Sequence, residues 1–277
     1  MELEQKFKQT LKKIKLNKKE KILVALSGGK DSTVVAHLLK KLGYNIEGFH
    51  IDLGMGEYSK RCLSAVKELC AKLEIKFYVY DIRKEMGNSM CYIRSSIQDS
   101  KKGLKNCAIC GVIKKWIMNR EARKLRFKKI ATGHNLDDET QTFLMNILKG
   151  SPQLGANSGA ITQNVKDKKF ITRIKPLFYI DEKKIKEYSK KKKLPVVYEK
   201  CPCAIDSYRI QIRSFVDTLG VSEKENIMKN FDRVFPLIQK LKVKDKLNYC
   251  EICGEPSRNK ICKMCRLFEG QKNVILM

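Results

Sequence analysis

The 277-residue sequence has no long uninterrupted run of apolar residues. None approaches the roughly 20 residues that an α-helix needs to cross a bilayer. The N-terminal stretch also lacks the apolar segment of a secretory signal peptide. These absences argue against a membrane protein or a secreted one and predict a cytoplasmic location.

Acidic residues are scarce. Asp and Glu total 30 against 58 Lys and Arg, so the formal net charge is +28. A charge of this size predicts strong attraction to a polyanion, for which a nucleotide alone would not be sufficient. The alternative is a lysine-rich composition that reflects the genome or a high growth temperature. Because the excess is spread along the chain and not confined to a tail, we favour a nucleic-acid partner.

The first glycine of the kinase-type phosphate loop, G-x-x-x-x-G-K-[ST], is also missing. Instead, a strand-like run at 22–26 leads into a different glycine-containing loop and then into a helical pattern. The loop reads Ser27-Gly28-Gly29-Lys30-Asp31-Ser32. Adjacent glycines let the backbone approach a polyphosphate, and the helix that follows offers unpaired N–H groups. The alternative is an ordinary Gly-Gly turn, but the strand–loop–helix context favours an ATP site.

Apolar patterning predicts an α/β fold with a doubly wound parallel sheet, because strand-like and helical segments alternate. The predicted strands are Ile22–Leu26, Ile46–Ile51, Phe77–Tyr80 and Lys129–Thr132. The predicted helices are Asp31–Leu42, Lys60–Leu73, Val112–Lys124 and Asp138–Leu148. In such sheets ligands bind beyond the carboxyl ends of the strands, so the loops there are the candidate site.

A second candidate loop, Gly133–Glu139, follows a strand and opens a helix. Its glycine can lie against a nucleotide while its carboxylates orient Mg²⁺ or a proton acceptor. The alternative is ordinary helix capping by Asp137 or Asp138. We expect His134 to be a hydrogen-bond donor rather than the acid–base centre.

Eleven cysteines in a reducing compartment are more typical of metal or redox sites than of disulfides. Two CxxC pairs separated by eight residues predict a closed, structural zinc site in a small ribbon. Its ligands would be Cys250, Cys253, Cys262 and Cys265.

Another CxxC pair, Cys107 and Cys110, precedes the predicted helix at 112–124, and Cys201-Pro202-Cys203 lies far downstream. Taken alone, the pair is compatible with a redox site, half of a zinc site, or part of an iron–sulfur site. Cys201 is the natural third ligand, and the role of Cys203 stays open. The remaining cysteines, Cys62, Cys70 and Cys91, are predicted to be small buried apolar residues.

Together these motifs resemble a known family. The SGGKDS loop resembles the PP-loop of the ATP pyrophosphatases. Adding the CxxC pair, the stretch GHNLDDETQTFLMNILKG, the segment 173–177 (RIKPL), Cys201-Pro202 and the C-terminal CxxC pairs gives a combination similar to the TtcA/TtuA tRNA thiolation enzymes, nearer to the TtuA and wobble-uridine thiolase branch. The resemblance runs from about residue 21 to residue 266.

The resemblance implies that Cys107, Cys110 and Cys201 hold a 4Fe–4S cluster whose fourth iron binds the sulfur to be transferred. It implies that Lys114 and Asp138 lie close to the cluster and ATP. Its nucleotide contacts fall on the residues Ala25, Ser27, Gly29, Lys30, Asp31, Ser32, Ile51 and Gly133, to which the loop residue Gly28 is added.

The function implied is ATP-dependent 2-thiolation of a tRNA uridine, with the base adenylated before sulfur replaces oxygen. The sulfur source would be sulfide or a thiocarboxylated ubiquitin-like carrier protein, and a homodimer is one open oligomeric state. Alternatives are cytidine 2-thiolation, another PP-loop adenylating ligase, or an RNA-binding metalloprotein that ATP regulates without turnover. Typical members begin with a further zinc finger, whereas residues 1–20 here read as a cysteine-free basic helix.

The sequence therefore predicts four parts. They are a basic helix at 1–20, a PP-loop catalytic domain at 21–200, a helical basic extension at 201–247 and a zinc ribbon at 248–268.

Overall fold

The computed structural model of the protein describes residues 2–101, 103–162, 167, 169–203, 208–240 and 248–269. At its centre is a parallel five-stranded sheet in the order β3-β2-β1-β4-β5. The strands are β1 (Ile22–Ala25), β2 (Ile46–Asp52), β3 (Phe77–Asp81), β4 (Lys129–Ala131) and β5 (Thr172–Ile174). The strand order reverses between β1 and β4, so the loops that follow these two strands face the same crevice.

Eleven helices are found in the described ranges, together with a 3-10 helix at Pro152–Asn157. They are α1 (Glu2–Lys13), α2 (Lys30–Lys41), α3 (Glu57–Lys72), α4 (Ile82–Met86), α5 (Met90–Ser100), α6 (Asn106–Lys124), α7 (Leu136–Leu148), α8 (Glu182–Lys191), α9 (Arg209–Thr218), α10 (Val221–Lys240) and α11 (Lys263–Leu267). Each helix in the described part of the chain is too short or too polar to span a bilayer.

Helices cover both faces of the sheet, as alternation along β1 shows. Ile22 and Val24 belong to one buried apolar cluster, with α1, α2, α3 and α8, whereas Leu23 belongs to a second cluster, with α5, α6 and the C-terminal ribbon. Successive side chains of a strand point to opposite faces, so a strand covered on both sides is apolar throughout. The predicted doubly wound α/β fold is confirmed.

All four predicted strands and all four predicted helices are present, with shifted ends. The largest shift is at α6, which begins at Asn106 and not at Val112. Cys107 and Cys110 therefore lie inside the first turns of the helix, and the prediction that they precede it is wrong. Because they are three residues apart on a helix, their side chains share one face.

The N-terminal helix α1 packs on the catalytic fold. Leu3, Phe7 and Leu11 enter the first apolar cluster, while Glu2 and Glu4 pair with lysines of α8 and α2. At the other end, β6 (Asn248–Tyr249), β7 (Pro256–Ser257) and α11 form a small ribbon, and α11 packs against α6. The division into four parts stays a prediction, and residues 204–207 and 241–247 of the predicted extension lie outside the described residues.

Candidate nucleotide and metal site

The loop between β1 and α2 has the backbone that its glycines predict. Gly28 has φ +81°, and a Cβ at this position would lie 2.8 Å from the Cα of Cys62, so a side chain is excluded twice over. Gly29 is the N-cap of α2. The hydroxyls of Ser27 and Ser32 lie 3.1 Å apart, and Ser32 Oγ accepts a hydrogen bond from the Ser27 N–H. The loop therefore presents the start of α2 to the crevice, where an anion is favoured.

Lys30 brings the cation of this loop to the crevice. Its Nζ lies 2.9 Å from an Asp31 carboxylate oxygen and 2.7 Å from Glu182 of α8, and the side chain is 14% exposed. Arg213 of α9 also binds Glu182, at 3.0 Å. Burial disfavours the charged form of Lys30, but the carboxylates of Asp31 and Glu182 outweigh it and raise the pKa. Lys30 therefore stays protonated and positively charged near pH 7.

The second loop closes against the first. A Cβ on Gly133 would lie 2.7 Å from the Ser32 backbone nitrogen, so only glycine allows this approach. The Asn135 side chain donates to Asp31 at 3.0 Å and caps α7 by accepting from the Asp138 N–H at 3.0 Å. The N-cap of α7 is therefore Asn135, and Asp138 completes a capping box by accepting a hydrogen bond from the Asn135 N–H at 3.3 Å. The suggested capping role thus holds in part for Asp138 and is wrong for Asp137.

Asp138 faces the crevice beside Arg209 of α9, whose guanidinium lies 3.5 Å from its carboxylate. Desolvation of the carboxylate raises the pKa of Asp138 to about 6, with a further contribution from the Asp31 carboxylate, while Arg209 opposes the rise. Sequence reasoning missed Arg209, because no spacing pattern links a residue of α9 to this loop.

His134 lies in the same open crevice and its Nδ1 is 2.9 Å from the Thr132 hydroxyl. Desolvation of the ring by the surrounding protein, with a further contribution from the nearby cations Lys175 and Arg209, lowers the pKa of His134 to about 3. The ring is neutral near pH 7, which agrees with the expectation that His134 is not the acid–base centre.

Asp137 turns away from the crevice into a buried ion network. Lys224 of α10 is 1% exposed, and its Nζ lies 2.5 Å from Asp137 and 3.1 Å from Asp181. Asp137 also accepts from the Glu182 N–H at 2.7 Å. The network ties the start of α7 to the start of α8, and so fixes both Asp138 and the Glu182 partner of Lys30.

Lys224→Met is expected to lower the free energy of unfolding by about 3–5 kcal/mol, because it leaves two buried carboxylates without their cation. Thermal or urea unfolding measures the loss. Lys229→Met, at an exposed position of the same helix, is the matched control and should change little. Adding Asp137→Asn and Asp181→Asn to Lys224→Met should recover part of the loss, and no recovery would contradict the buried-charge explanation.

Thiols line the wall of the crevice next to the PP-loop. Cys62 packs against Gly28, and Cys201 is close enough to affect the titration of Cys62 and Tyr58. The segment before Cys201 is bound to the loop directly, since the Val197 N–H donates to the Gly28 carbonyl oxygen at 2.9 Å. Cys201 therefore lies beside the phosphate loop.

A second group of sulfurs adjoins it. Cys203 contacts Cys201, and its Sγ lies 3.5 Å from the Sγ of Cys91. The Arg94 side chain, 5% exposed, reaches both Cys91 and Cys203 and lies within electrostatic range of Cys110. The prediction that Cys62 and Cys70 are buried is confirmed, but Cys91 is only partly buried and pairs with Cys203, so for Cys91 the prediction is wrong.

The three predicted cluster ligands have the thiol chemistry that an iron–sulfur group requires, but they are not among the cysteines whose sulfurs lie within 4.8 Å of one another in the described part of the chain. Cys107 and Cys110 offer two thiols from one face of α6 and Cys201 offers a third, while the Arg94 cation lies within electrostatic range of Cys110. Lys114 is half-buried on α6, one turn beyond Cys110. Ala25 and Ile51 lie at the ends of β1 and β2 and are partly buried against the second apolar cluster.

The four C-terminal cysteines converge tightly. All four sulfurs, those of Cys250, Cys253, Cys262 and Cys265, lie within 4.8 Å of one another. Backbone N–H groups point at two of them, Cys262 N–H to Cys250 Sγ at 3.3 Å and Cys265 N–H to Cys262 Sγ at 3.4 Å. This S4 arrangement could hold one tetrahedral metal ion.

Comparison with known proteins identifies the family. A family model described as a PP-loop domain matches residues 1–217. The tRNA-5-methyluridine(54) 2-sulfurtransferase of Pyrococcus horikoshii is 36% identical over 276 residues, which cover 98% of this chain and 86% of that protein. The cytoplasmic tRNA 2-thiolation protein 1 of Drosophila mojavensis is 36% identical over 263 residues, or 91% of this chain and 74% of that protein.

Among solved structures, the U34-tRNA thiolase NcsA from Methanococcus maripaludis, solved with its 4Fe–4S cluster, superposes with a TM-score of 0.81 at 26% identity. It covers 100% of this chain, which in turn covers 88% of that one. The resemblance predicted from the motifs is therefore confirmed. Because the family model and the relatives align along most of its length, the chain belongs to the PP-loop family of tRNA sulfurtransferases, which are ATP-using enzymes.

Proposed function

We propose that the protein is a tRNA-uridine 2-sulfurtransferase that activates the uracil carbonyl oxygen with ATP before sulfur replaces it. The observation that carries this proposal is that the phosphate loop and a group of cysteine thiols lie next to each other. The phosphate loop touches Cys62 through Gly28, and Cys201 lies within electrostatic range of Cys62. An activated base in the crevice would therefore be within reach of the thiol group at its wall.

Adenylation is required because a carbonyl oxygen of uracil is a very poor leaving group. Lys30 and the N–H groups at the start of α2 would stabilise negative charge on the departing pyrophosphate, together with Mg²⁺ bridging the phosphates. Asp138 is placed to orient the ion or the base. A 4Fe–4S cluster held by Cys107, Cys110 and Cys201 would leave one iron without a protein ligand, which supplies a binding position for sulfide.

The direct test is a product assay. Anaerobically purified, iron-loaded protein is incubated with unmodified tRNA, ATP, Mg²⁺ and sulfide, and the digested RNA is examined by mass spectrometry. We expect 2-thiouridine, and fragment mapping names the nucleotide. A 2-thiocytidine product would instead support cytidine thiolation. AMP formation without any thionucleoside would support a PP-loop ligase with a different acceptor.

The surroundings of Asp138 lead to a pH prediction. The ionised carboxylate is the form that can orient a cation or accept a proton, so kcat/KM for ATP should fall as the pH drops through about 6. Arg209→Gln removes a cation that favours the ionised form, and should therefore move this limb to higher pH. Arg233→Gln, an exposed arginine of α10, is the control. If the pH at which kcat/KM falls is unchanged in Arg209→Gln, the titrating group is not Asp138.

We further propose that the four C-terminal cysteines bind a structural Zn²⁺ ion, because the S4 set leaves no open position for chemistry. Three of these cysteines are part of the second apolar cluster, and α11 packs on α6. Cys262→Ser should lower zinc content, measured by metal analysis, to well below one ion per chain and lower the melting temperature. Retained zinc and an unchanged melting temperature would contradict the assignment.

The proposed function also places the protein in the cytoplasm with tRNA as its polyanionic partner, in keeping with the charge of +28. Sulfide or a thiocarboxylated carrier protein as the sulfur source, and a homodimer as the assembly, remain predictions of the family resemblance. The domain limits and the roles of individual site residues are likewise predictions.

A further inference from the structure

Cys91 and Cys203 form a pair that the proposed thiolation chemistry does not use. They come from distant parts of the chain, the start of α5 and the loop after Cys201, yet their sulfurs are 3.5 Å apart. Both side chains are partly exposed, unlike Cys70, which lies alone in the first apolar cluster. Two accessible thiols in contact can join by a modest side-chain rotation, and cytosolic disulfides are usually transient and catalytic.

A buried cation lies beside this pair of thiols. Arg94 is 5% exposed, and its hydrogen-bond partners in the described part of the chain are the Met90 carbonyl oxygen and cysteine sulfur. A buried guanidinium requires anionic or strongly polar partners. The sulfurs of Cys91 and Cys203 are such polar partners, so Arg94 holds the two side chains at one place.

The pair also lies next to the cysteines that are proposed to hold the sulfur-binding cluster. Cys203 contacts the proposed cluster ligand Cys201, and Arg94 lies within electrostatic range of Cys110. The proposed transfer consumes sulfur at the oxidation level of sulfide. A donor that carries sulfane sulfur, such as a persulfide, is two electrons more oxidised, and a dithiol is a two-electron donor.

We propose that Cys91 and Cys203 are a dithiol that takes a sulfane sulfur atom from a persulfide donor and releases it as sulfide beside the proposed cluster ligands. The inference rests on the proposed function for the use of that sulfide, but the chemistry of the pair is independent of it.

The step balances as two thiol exchanges. One cysteine thiolate attacks the outer sulfur of the donor R–S–SH, R–S⁻ leaves, and a cysteine persulfide forms. The second cysteine thiolate attacks the inner sulfur of this persulfide, so that a Cys91–Cys203 disulfide forms and HS⁻ leaves. The two thiols supply the two electrons that reduce the sulfane sulfur, and an external dithiol reductant must then reopen the disulfide.

The test is a single turnover with glutathione persulfide as the probe. Reduced, iron-loaded, full-length protein is mixed anaerobically with the probe in the absence of other reductant. Released sulfide is measured, and peptides are mapped by mass spectrometry after the free thiols are blocked. We expect up to one sulfide per chain and a linked peptide that contains Cys91 and Cys203.

The single variants Cys91→Ser and Cys203→Ser should each release about tenfold less sulfide and retain one extra sulfur atom on the remaining cysteine. Cys70→Ala, which removes a thiol elsewhere, should behave as the unchanged protein. Equal sulfide release from all four proteins, or no Cys91–Cys203 peptide, would overturn the proposal.

Two further measurements distinguish the dithiol role from a cluster-ligand role for Cys203 and from failure of the proposed function. Iron content and the visible absorption of the cluster should be unchanged in Cys203→Ser. Their loss would make Cys203 a cluster ligand and overturn the dithiol role. Supplied with sulfide, the two serine variants should thiolate tRNA as the unchanged protein does, whereas with the persulfide donor they should be about tenfold slower. If neither the unchanged protein nor any variant thiolates tRNA with sulfide, the proposed function fails. The peptide map still shows whether Cys91 and Cys203 act as a dithiol.

Discussion

Lys30→Ala is expected to lower the rate of ATP-dependent tRNA thiolation by about 100- to 1000-fold, the range typical of losing one preorganised group that stabilises transition-state charge. Lys30 is the cation that the PP-loop presents to the crevice, held there by Asp31 and Glu182. Its removal takes away the side-chain charge that would stabilise the departing pyrophosphate in the proposed mechanism, and the loop N–H groups remain. Formation of AMP and of 2-thiouridine should therefore fall together.

The fold should survive this change. Glu182 keeps its contact with Arg213 at 3.0 Å, and Asp31 keeps the hydrogen bond from Asn135. Lys30→Arg should retain part of the rate because it retains the charge. Lys40→Ala, an exposed lysine near the end of the same helix, should retain all of it. A normal thiolation rate in Lys30→Ala would contradict the role of Lys30 in the ATP-dependent step.

Local patterns were sufficient to predict the centre of the fold. Apolar runs such as Ile22–Leu26 are continuous because the sheet is covered on both faces, and the glycines at 28 and 133 mark the close approaches that the structure contains. The strand β5 was missed because Thr172 and Arg173 leave it a single apolar residue, so it gives no apolar run. The start of α6 was placed late because the CxxC pair reads as a loop, although a helix can carry both thiols on one face.

Contacts between distant segments could not be predicted in the same way. Arg209 opposite Asp138, Lys224 between Asp137 and Asp181, and Cys91 against Cys203 all join residues separated by at least 40 positions. Each depends on how α5, α9 and α10 pack, which spacing along one segment does not encode. The same limit applies to Cys201, the third predicted cluster ligand, whose role sequence reasoning took from the family resemblance.

Cys201→Ser is expected to separate the two halves of the proposed chemistry. Loss of a cluster ligand should reduce iron content and lower thiolation at least about 100-fold, since even residues that only support a metal ligand typically contribute 10- to 100-fold. The phosphate loop does not depend on this thiol. Its backbone is fixed by Gly28, by the paired hydroxyls of Ser27 and Ser32, and by the bond from Val197. ATP binding should therefore be retained.

Cys203→Ser is the informative comparison for Cys201→Ser, because the two cysteines are two residues apart and have different proposed roles. Cys201 lies toward the phosphate loop and Cys62, whereas Cys203 lies toward Cys91 and Arg94. With sulfide as the donor, only the Cys201 variant should lose iron and activity. If both variants lose iron, the cluster has a fourth protein ligand and no open iron for sulfide. If neither does, the thiols at the wall of the crevice bind no cluster, and the adenylating PP-loop ligase becomes the better description.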